Sequence, residues 1–335
     1  MAQILTTVQI IDLYDIALLL NYERAATEPR FRHTKLREVV QNEDFKTIRM
    51  LTHEWRTNKQ KTGFVFDRLP PHSPEDDDDP SAPPDLPSTM LAPRDPHWAA
   101  QPDLSYLTPF QWETFYWQAR NHDACYKSVT LIQHFFALFP PDTQVRVRTD
   151  KGREYLVSAN LRVIMEMKLV KPRGVTLSCV LPKNMTYITG GEEVMDHAVV
   201  GFPNPSANAG KEEEAGTILD LASLQFGDVG RGCGGKSLFL LESIDAYGVR
   251  LNKFAEGNTF DDAKASMAIG GSPWDGWLKR VAEKVKDRWV KREGWCGHCG
   301  KPGELKRCSG CKDAFYCDSL HQAAAWGYHK RWCKK

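Results

Sequence analysis

The feature that most constrains this chain is the run from Cys296 to Cys333. Cys296, Cys299, Cys308, Cys311, Cys317, His321, His329 and Cys333 stand there in the spacing C-x2-C-x8-C-x2-C-x5-C-x3-H-x7-H-x3-C. Eight soft or borderline donors are what two tetrahedral zinc sites need, with none left over. Two residues between thiolates let one tight turn aim both sulfurs at a single ion. Gly297 and Gly310 sit inside those turns, where the backbone needs its freest residue. Cys317 and His321 are four apart, as are His329 and Cys333, so on a helix each pair shares a face. Ala323, Ala324 and Ala325 favour that helix. Spacing alone leaves two ways to share the ligands: first four against last four, or interleaved. His298, inside the first turn, is surplus to the count and reads as a surface residue.

These residues resemble the MYND zinc finger over roughly Gly294 to Lys335. The likeness includes Tyr316-Cys317, Gln322, Trp326 and the closing His329-x3-Cys333. It implies two zinc ions with interleaved ligands. Cys296, Cys299, Cys317 and His321 would hold one, and Cys308, Cys311, His329 and Cys333 the other. The family usually has Cys where this chain has His321, which makes the first site Cys3His. The resemblance also implies a surface for protein or peptide partners, with Phe315, Tyr316, Trp326 and Trp332 as candidate apolar contacts. The layout lacks a base-reading helix, so a nucleic-acid partner is not expected.

The competing reading of the cysteines is a set of disulfides. Six of nine cysteines fall in the spaced run, and the N-terminus lacks a basic start and a long apolar core. The expectation is an intracellular chain, nuclear or cytoplasmic, with reduced thiols. The longest apolar run, Ile16 to Leu20, falls far short of the roughly 20 residues of a membrane span. Net charge is +1, but from Trp277 to the end it is +9, leaving −8 elsewhere. A basic tail on an acidic body suits an acidic partner, or simply solubilises a thiolate-rich module.

The pattern predicts an α+β protein in five parts: a helical N-terminal region (1–66), a Pro/Asp-rich linker (67–103), a mixed middle domain (104–270), a basic amphipathic helix (271–293) and the finger (294–335). Ile10, Leu13, Ile16 or Ala17, and Leu20 make one apolar stripe. Phe45, Ile48, Met50 or Leu51, and Trp55 make a second, opening after Asn42 as a cap. The linker holds many prolines and the acidic run Glu75 to Asp79, and is expected to bury little. Phe110–Arg120 and Ala124–Phe139 read as helices. Strands are expected at Val145–Arg148, Tyr155–Val157, Val175–Leu181, Ala198–Phe202 and Thr217–Leu221. Trp277, Val281, Val285 and Trp289 trace one face of the basic helix.

Three motifs in the middle domain carry possible chemistry. Cys125 falls in the first turn of a helix capped by Asn121 or Asp123, where the dipole favours thiolate. His197 opens one strand and Asp220 lies in the next, so a hairpin would let Asp220 orient the ring. In this order the three resemble the transglutaminase-like branch of papain-fold thiol enzymes. The likeness implies a hydrolase or acyltransferase, with Gln118 as oxyanion donor and the finger recruiting substrate. The bland reading is a small core Cys and two unrelated polar residues. Cys179, in an apolar strand, reads as core. Gly230 to Ser237 fits the phosphate-loop pattern, but about forty residues are all that separate Ser237 from the basic helix and no later strand ending in Asp is read there, so a surface loop is expected. Asn121-His122-Asp123-Ala124-Cys125 partly matches an element of SET methyltransferases, but the following Pro-Asn is absent.

Overall fold

The computed structural model describes residues 10–68, 84–90, 104–207, 215–267 and 274–334. The acidic run Glu75–Asp79 lies outside them. After the two-residue strand β1 (Ile11–Asp12) comes α1 (Leu13–Ala26). The Asp12 carboxylate caps it, accepting from the amides of Tyr14 and Asp15. Every residue of α1 but Asp15 is buried, so burial reaches beyond the predicted apolar stripe and takes in Asn21, Glu23 and Arg24. Next come β2 (Thr34–Gln41), β3 (Gln60–Arg68), α2 (Pro109–Arg120), α3 (Ala124–Ala137), β4 (Gln144–Arg148) and β5 (Glu154–Ser158). β6 (Val163–Pro172), β7 (Gly174–Leu181), β8 (Met185–Thr189), β9 (Val194–Pro203) and β10 (Gly216–Asp220) follow. A short turn α4 (Cys233–Lys236) leads to β11 (Leu240–Ser243), α5 (Ile244–Phe254), β12 (Ala255–Asn258) and β13 (Lys264–Ser266). The long helix α6 (Asp275–Lys291) precedes β14 (Lys306–Arg307), β15 (Phe315–Tyr316) and α7 (Ser319–Trp332).

The architecture is α+β, with a small C-terminal finger. One sheet runs β2-β3-β7-β8, with β3 parallel to β7. The larger runs β11-β10-β9-β6-β12, with β13 also on β6. β9 pairs antiparallel with both β6 and β10. The main core gathers α1, α3, α6 and the larger sheet: Leu19, Leu131, Phe135, Val200, Leu278 and Val285 meet there. The α6 stripe behaves as expected, with Trp277, Val281 and Val285 buried in that core and Trp289 packed against it. All five predicted strands of the middle domain form.

The second half of the predicted helical N-terminal region is different. No helix spans Phe45–Trp55; strands β2 and β3 flank an irregular loop there. Asn42 does not cap a helix. It turns the chain at φ 58°, and its side-chain oxygen accepts from the Lys61 amide. Phe45 stacks on Trp55 at 5.0 Å, above β3. A Cβ on Gly63 would stand 2.3 Å from the Phe45 ring, so the strand carries glycine where the loop folds onto it. A spacing of three to four therefore marked a loop that covers a sheet, because apolar contacts in a loop need no helical period. Of the predicted linker, residues 67–68 and 84–90 are described: Asp67 and Arg68 end β3, and the second stretch is anchored to the body. Met90 lies in the second core cluster, and the Asp85 carbonyl accepts from the Tyr116 hydroxyl at 2.6 Å.

Candidate metal centre

Two loops and one helix build the finger. The first turn carries Cys296 and Cys299, the second Cys308 and Cys311. Cys317 follows β15, and α7 carries His321 and His329, with Cys333 at its C-cap. Asp318 caps α7, its carboxylate accepting from the His321 amide at 2.8 Å, which fixes the helical pairs in register. The donor atoms gather into two groups of four: Cys296, Cys299, Cys317 and His321, and Cys308, Cys311, His329 and Cys333. Within each group all lie within 4.8 Å of one another.

The spacings suit a tetrahedral ion. Cys299 and Cys317 sulfurs are 3.8 Å apart, and Cys308 and Cys333 sulfurs 3.9 Å. A tetrahedron with zinc–sulfur bonds of about 2.3 Å has sulfur–sulfur edges of about 3.8 Å. The mixed edges, Cys296 Sγ to His321 Nδ1 at 3.4 Å and Cys311 Sγ to His329 Nε2 at 3.6 Å, are shorter, as the shorter zinc–nitrogen bond requires. Gly310 sits where a Cβ would meet the Cys333 sulfur at 3.2 Å. All nine cysteines are free of disulfides. The sites therefore interleave along the chain. The class this defines is a compact two-site Cys/His zinc finger.

Residues 296–333 match the family described as the MYND finger. No solved structure matches the chain. The two clusters fit the two zinc ions of such a finger.

The finger is seated on the body. Tyr328 of α7 stacks on Tyr14 of α1 with ring centroids 3.6 Å apart. The Gly300 amide donates to the Cys296 carbonyl, at φ 77°. A Cβ there would stand 2.4 Å from the Leu18 carbonyl oxygen, so only glycine lets the first turn rest on α1. Arg288 of α6 donates to the Gly300 carbonyl at 3.1 Å while pairing with the buried Glu23. Part of the tail's positive charge thus meets an acid of the body.

His298 is not the surface residue the ligand count suggested. It is 3% exposed, and its Nε2 lies 2.8 Å from Glu113 Oε1 on α2. Nothing in its sequence neighbourhood signals this, because the partner is 185 residues away. Glu113 is further held by two Arg231 contacts of 3.1 Å on Oε2. Burial pushes its carboxyl up, but His298 and Arg231 outweigh that and hold it below the usual range.

Of the candidate apolar contacts, Tyr316 packs inside the finger, 1% exposed. Phe315 and Trp332 line a cleft of about 960 Å³ between finger and body, together with Trp289 and Trp295. Trp326 stands 45% exposed on α7.

The second candidate cluster lies in the larger sheet. Cys125 occupies the first turn of α3, behind Asp123. His197 on β9 and Asp220 at the end of β10 are neighbours through strand pairing, with Nε2 to Oδ2 at 3.0 Å. The Tyr247 hydroxyl donates to the same carboxylate oxygen at 3.0 Å, and the Gln225 amide lies 3.4 Å from Nδ1. Burial favours neutral imidazole, but Asp220 more than offsets it and the ring is pushed up to about 10. The Cys125 thiol donates to the Asp196 carbonyl, 3.9 Å away. Cys125, His197, Asp220 and Tyr247 are all buried, and Phe226 stands edge-on to the His197 ring. Gln118 does not point a free amide at the thiol; its amide donates to Thr176 Oγ1 at 2.8 Å. Cys179 is core, as expected. The glycine-rich stretch follows a 3-10 segment, Ser223–Gly230, and not a strand, and Gly234 and Gly235 turn it at positive φ. Among the described residues no helix is long and apolar enough to cross a membrane.

Proposed function

We propose that this protein uses its zinc-held finger to bind a protein or peptide partner in a reducing, intracellular compartment. The observation that carries this is the closing of eight ligands into two tetrahedral groups within a stretch matched by the MYND finger. Ligation substitutes for a core the finger does not have, and leaves aromatic side chains free for contact. The contact surface is the cleft lined by Phe315 and Trp332, extended by Trp326. The test is a proximity-labelling comparison of the full chain with Phe315→Ala and Trp326→Ala variants that still carry two zinc ions. Partners should be lost in the variants, while stability of Trp326→Ala changes by no more than about 0.5 kcal/mol. Partners retained by both variants would remove this surface from consideration.

A second reading rests on the His197–Asp220 contact. It holds that the middle domain is a thiol hydrolase or acyltransferase, with Cys125 as nucleophile, His197 as base and Asp220 as orienting acid. The Ser223–Gly230 segment, which supplies Gln225 and Phe226, would have to open for substrate. Iodoacetamide should label Cys125 at neutral pH, and His197→Ala should slow that labelling at least tenfold. Labelling of Cys125 only after unfolding would end this reading.

A further inference from the structure

We infer that Glu113, on α2, is a positioning residue for the first zinc site, acting through His321. This rests on the zinc-finger reading above. The ligand atom of His321 that faces Cys296 is Nδ1, 3.4 Å away. Its Nε2 therefore faces outward, and it faces Glu113 Oε1 at 3.8 Å. A histidine that ligates through one nitrogen carries its proton on the other, and a carboxylate facing that nitrogen at ion-pair distance, though longer than a hydrogen bond, favours that tautomer and ring orientation electrostatically. Glu113 is built for that role. Its Oε2 is occupied by Arg231, which is 2% exposed, donates to Thr114 Oγ1 at 2.8 Å, and lies 4.0 Å from the Phe110 ring centre. Its Oε1 is left to the two histidines: His298, within the Cys296–Cys299 turn, and His321. The two imidazoles meet edge to face at 4.8 Å.

The second site has no such arrangement. His329 Nε2 faces Cys311 at 3.6 Å, its ring stands beside Tyr316 and Trp326, and the charge that acts on it is the cationic Arg148 of β4; among the described residues no carboxylate pairs with it. The two sites are therefore unlike. The first is faced by a carboxylate from the body, and the second, among the described residues, by none. This also gives a reason for histidine at position 321. A thiolate there has no second nitrogen to offer, and would face the Glu113 carboxylate with like charge. Imidazole turns the same neighbour into a favourable one.

The test is zinc release from the full-length chain to a chromophoric chelator, followed in time. The wild type should carry two zinc ions. Glu113→Gln should release one of them at least about tenfold faster, the lower end of what outer-shell changes cost, and leave the other unchanged. The unchanged ion reports that the finger is still folded. The decisive arm repeats the change in a His321→Cys background. Action through His321 predicts that Glu113→Gln then has no accelerating effect. Equal acceleration in both backgrounds would mean that Glu113 acts only through His298 and docking, and would overturn the inference. So would unchanged release in Glu113→Gln alone. A wild-type chain holding no zinc would instead overturn the zinc-finger reading itself.

Discussion

Two regions of this protein combine cysteine with histidine, and they are held together by opposite means. In the finger, eight donors spread over loops and one helix converge with little apolar core around them; the cluster there is small and made largely of the ligands themselves. In the larger sheet, His197 and Asp220 are fixed by strand pairing, and Cys125 by α3, under a full hydrophobic core. One region depends on an ion, the other on packing. The same residue types therefore carry different liabilities.

Stripping metal should separate them most sharply. A structural zinc ion contributes on the order of 10 kcal/mol to a small module's folding. A strong chelator should melt α7 and the Tyr14–Tyr328 stack, while the sheets persist. Far-ultraviolet and near-ultraviolet circular dichroism on the same sample would show partial helix loss with retained strand signal. Loss of both together would mean that the body cannot stand without the finger, and the comparison would fail.

The converse change is Asp220→Ala. Breaking a buried ion pair from one side costs about 3–5 kcal/mol, read as a lowered urea midpoint, and should leave two zinc ions bound. Its pH dependence has a defined sign. His197 is raised to about 10 in the fold, above the roughly 6.5 of an unfolded histidine. The pair's contribution is thus complete below about pH 6.5 and lost as pH rises toward 10. The penalty of Asp220→Ala should shrink across that window. A penalty that grew instead would mean the ring is neutral in the fold.

The smallest expected effect lies where the regions touch. Gly300→Ala forces a left-handed backbone and a clash with the Leu18 carbonyl. It should cost about 1–3 kcal/mol and speed protease cleavage between α6 and the finger, without changing zinc content.

The finger was legible because its information is local: the ligands lie within one short stretch, and a two-residue spacing has few geometric uses. The interleaving was not in the spacing; it came from the resemblance, and the structure places the ligands that way. Five strands after Val145 could be read from apolar runs bounded by turns, but the central strand β6 and β8, β11, β12 and β13 were not. β2 was hidden because Glu38, 2% exposed, sits on its inner side, bonding the Lys46 and Thr47 amides. A buried acid breaks the pattern that alternation relies on. Phe45 and Trp55 misled for the reason given by Gly63: they cover a strand from a loop. His298 and Glu113 could not be paired from sequence, since only the docking of the finger on α2 brings them together.

The stacking of α1 on α7 has a consequence for how the chain is made. Tyr14 and Gly297 are 283 positions apart, yet α1 is buried on nearly every side and rests on the first turn of the finger. A ribosome delivers α1 long before the finger that forms its last covering layer. Throughout synthesis that helix has an unmet apolar flank, which favours capture by chaperones or self-association. Chains that stop before the finger should therefore leave the ribosome as aggregation-prone products, even with every strand of the body already translated.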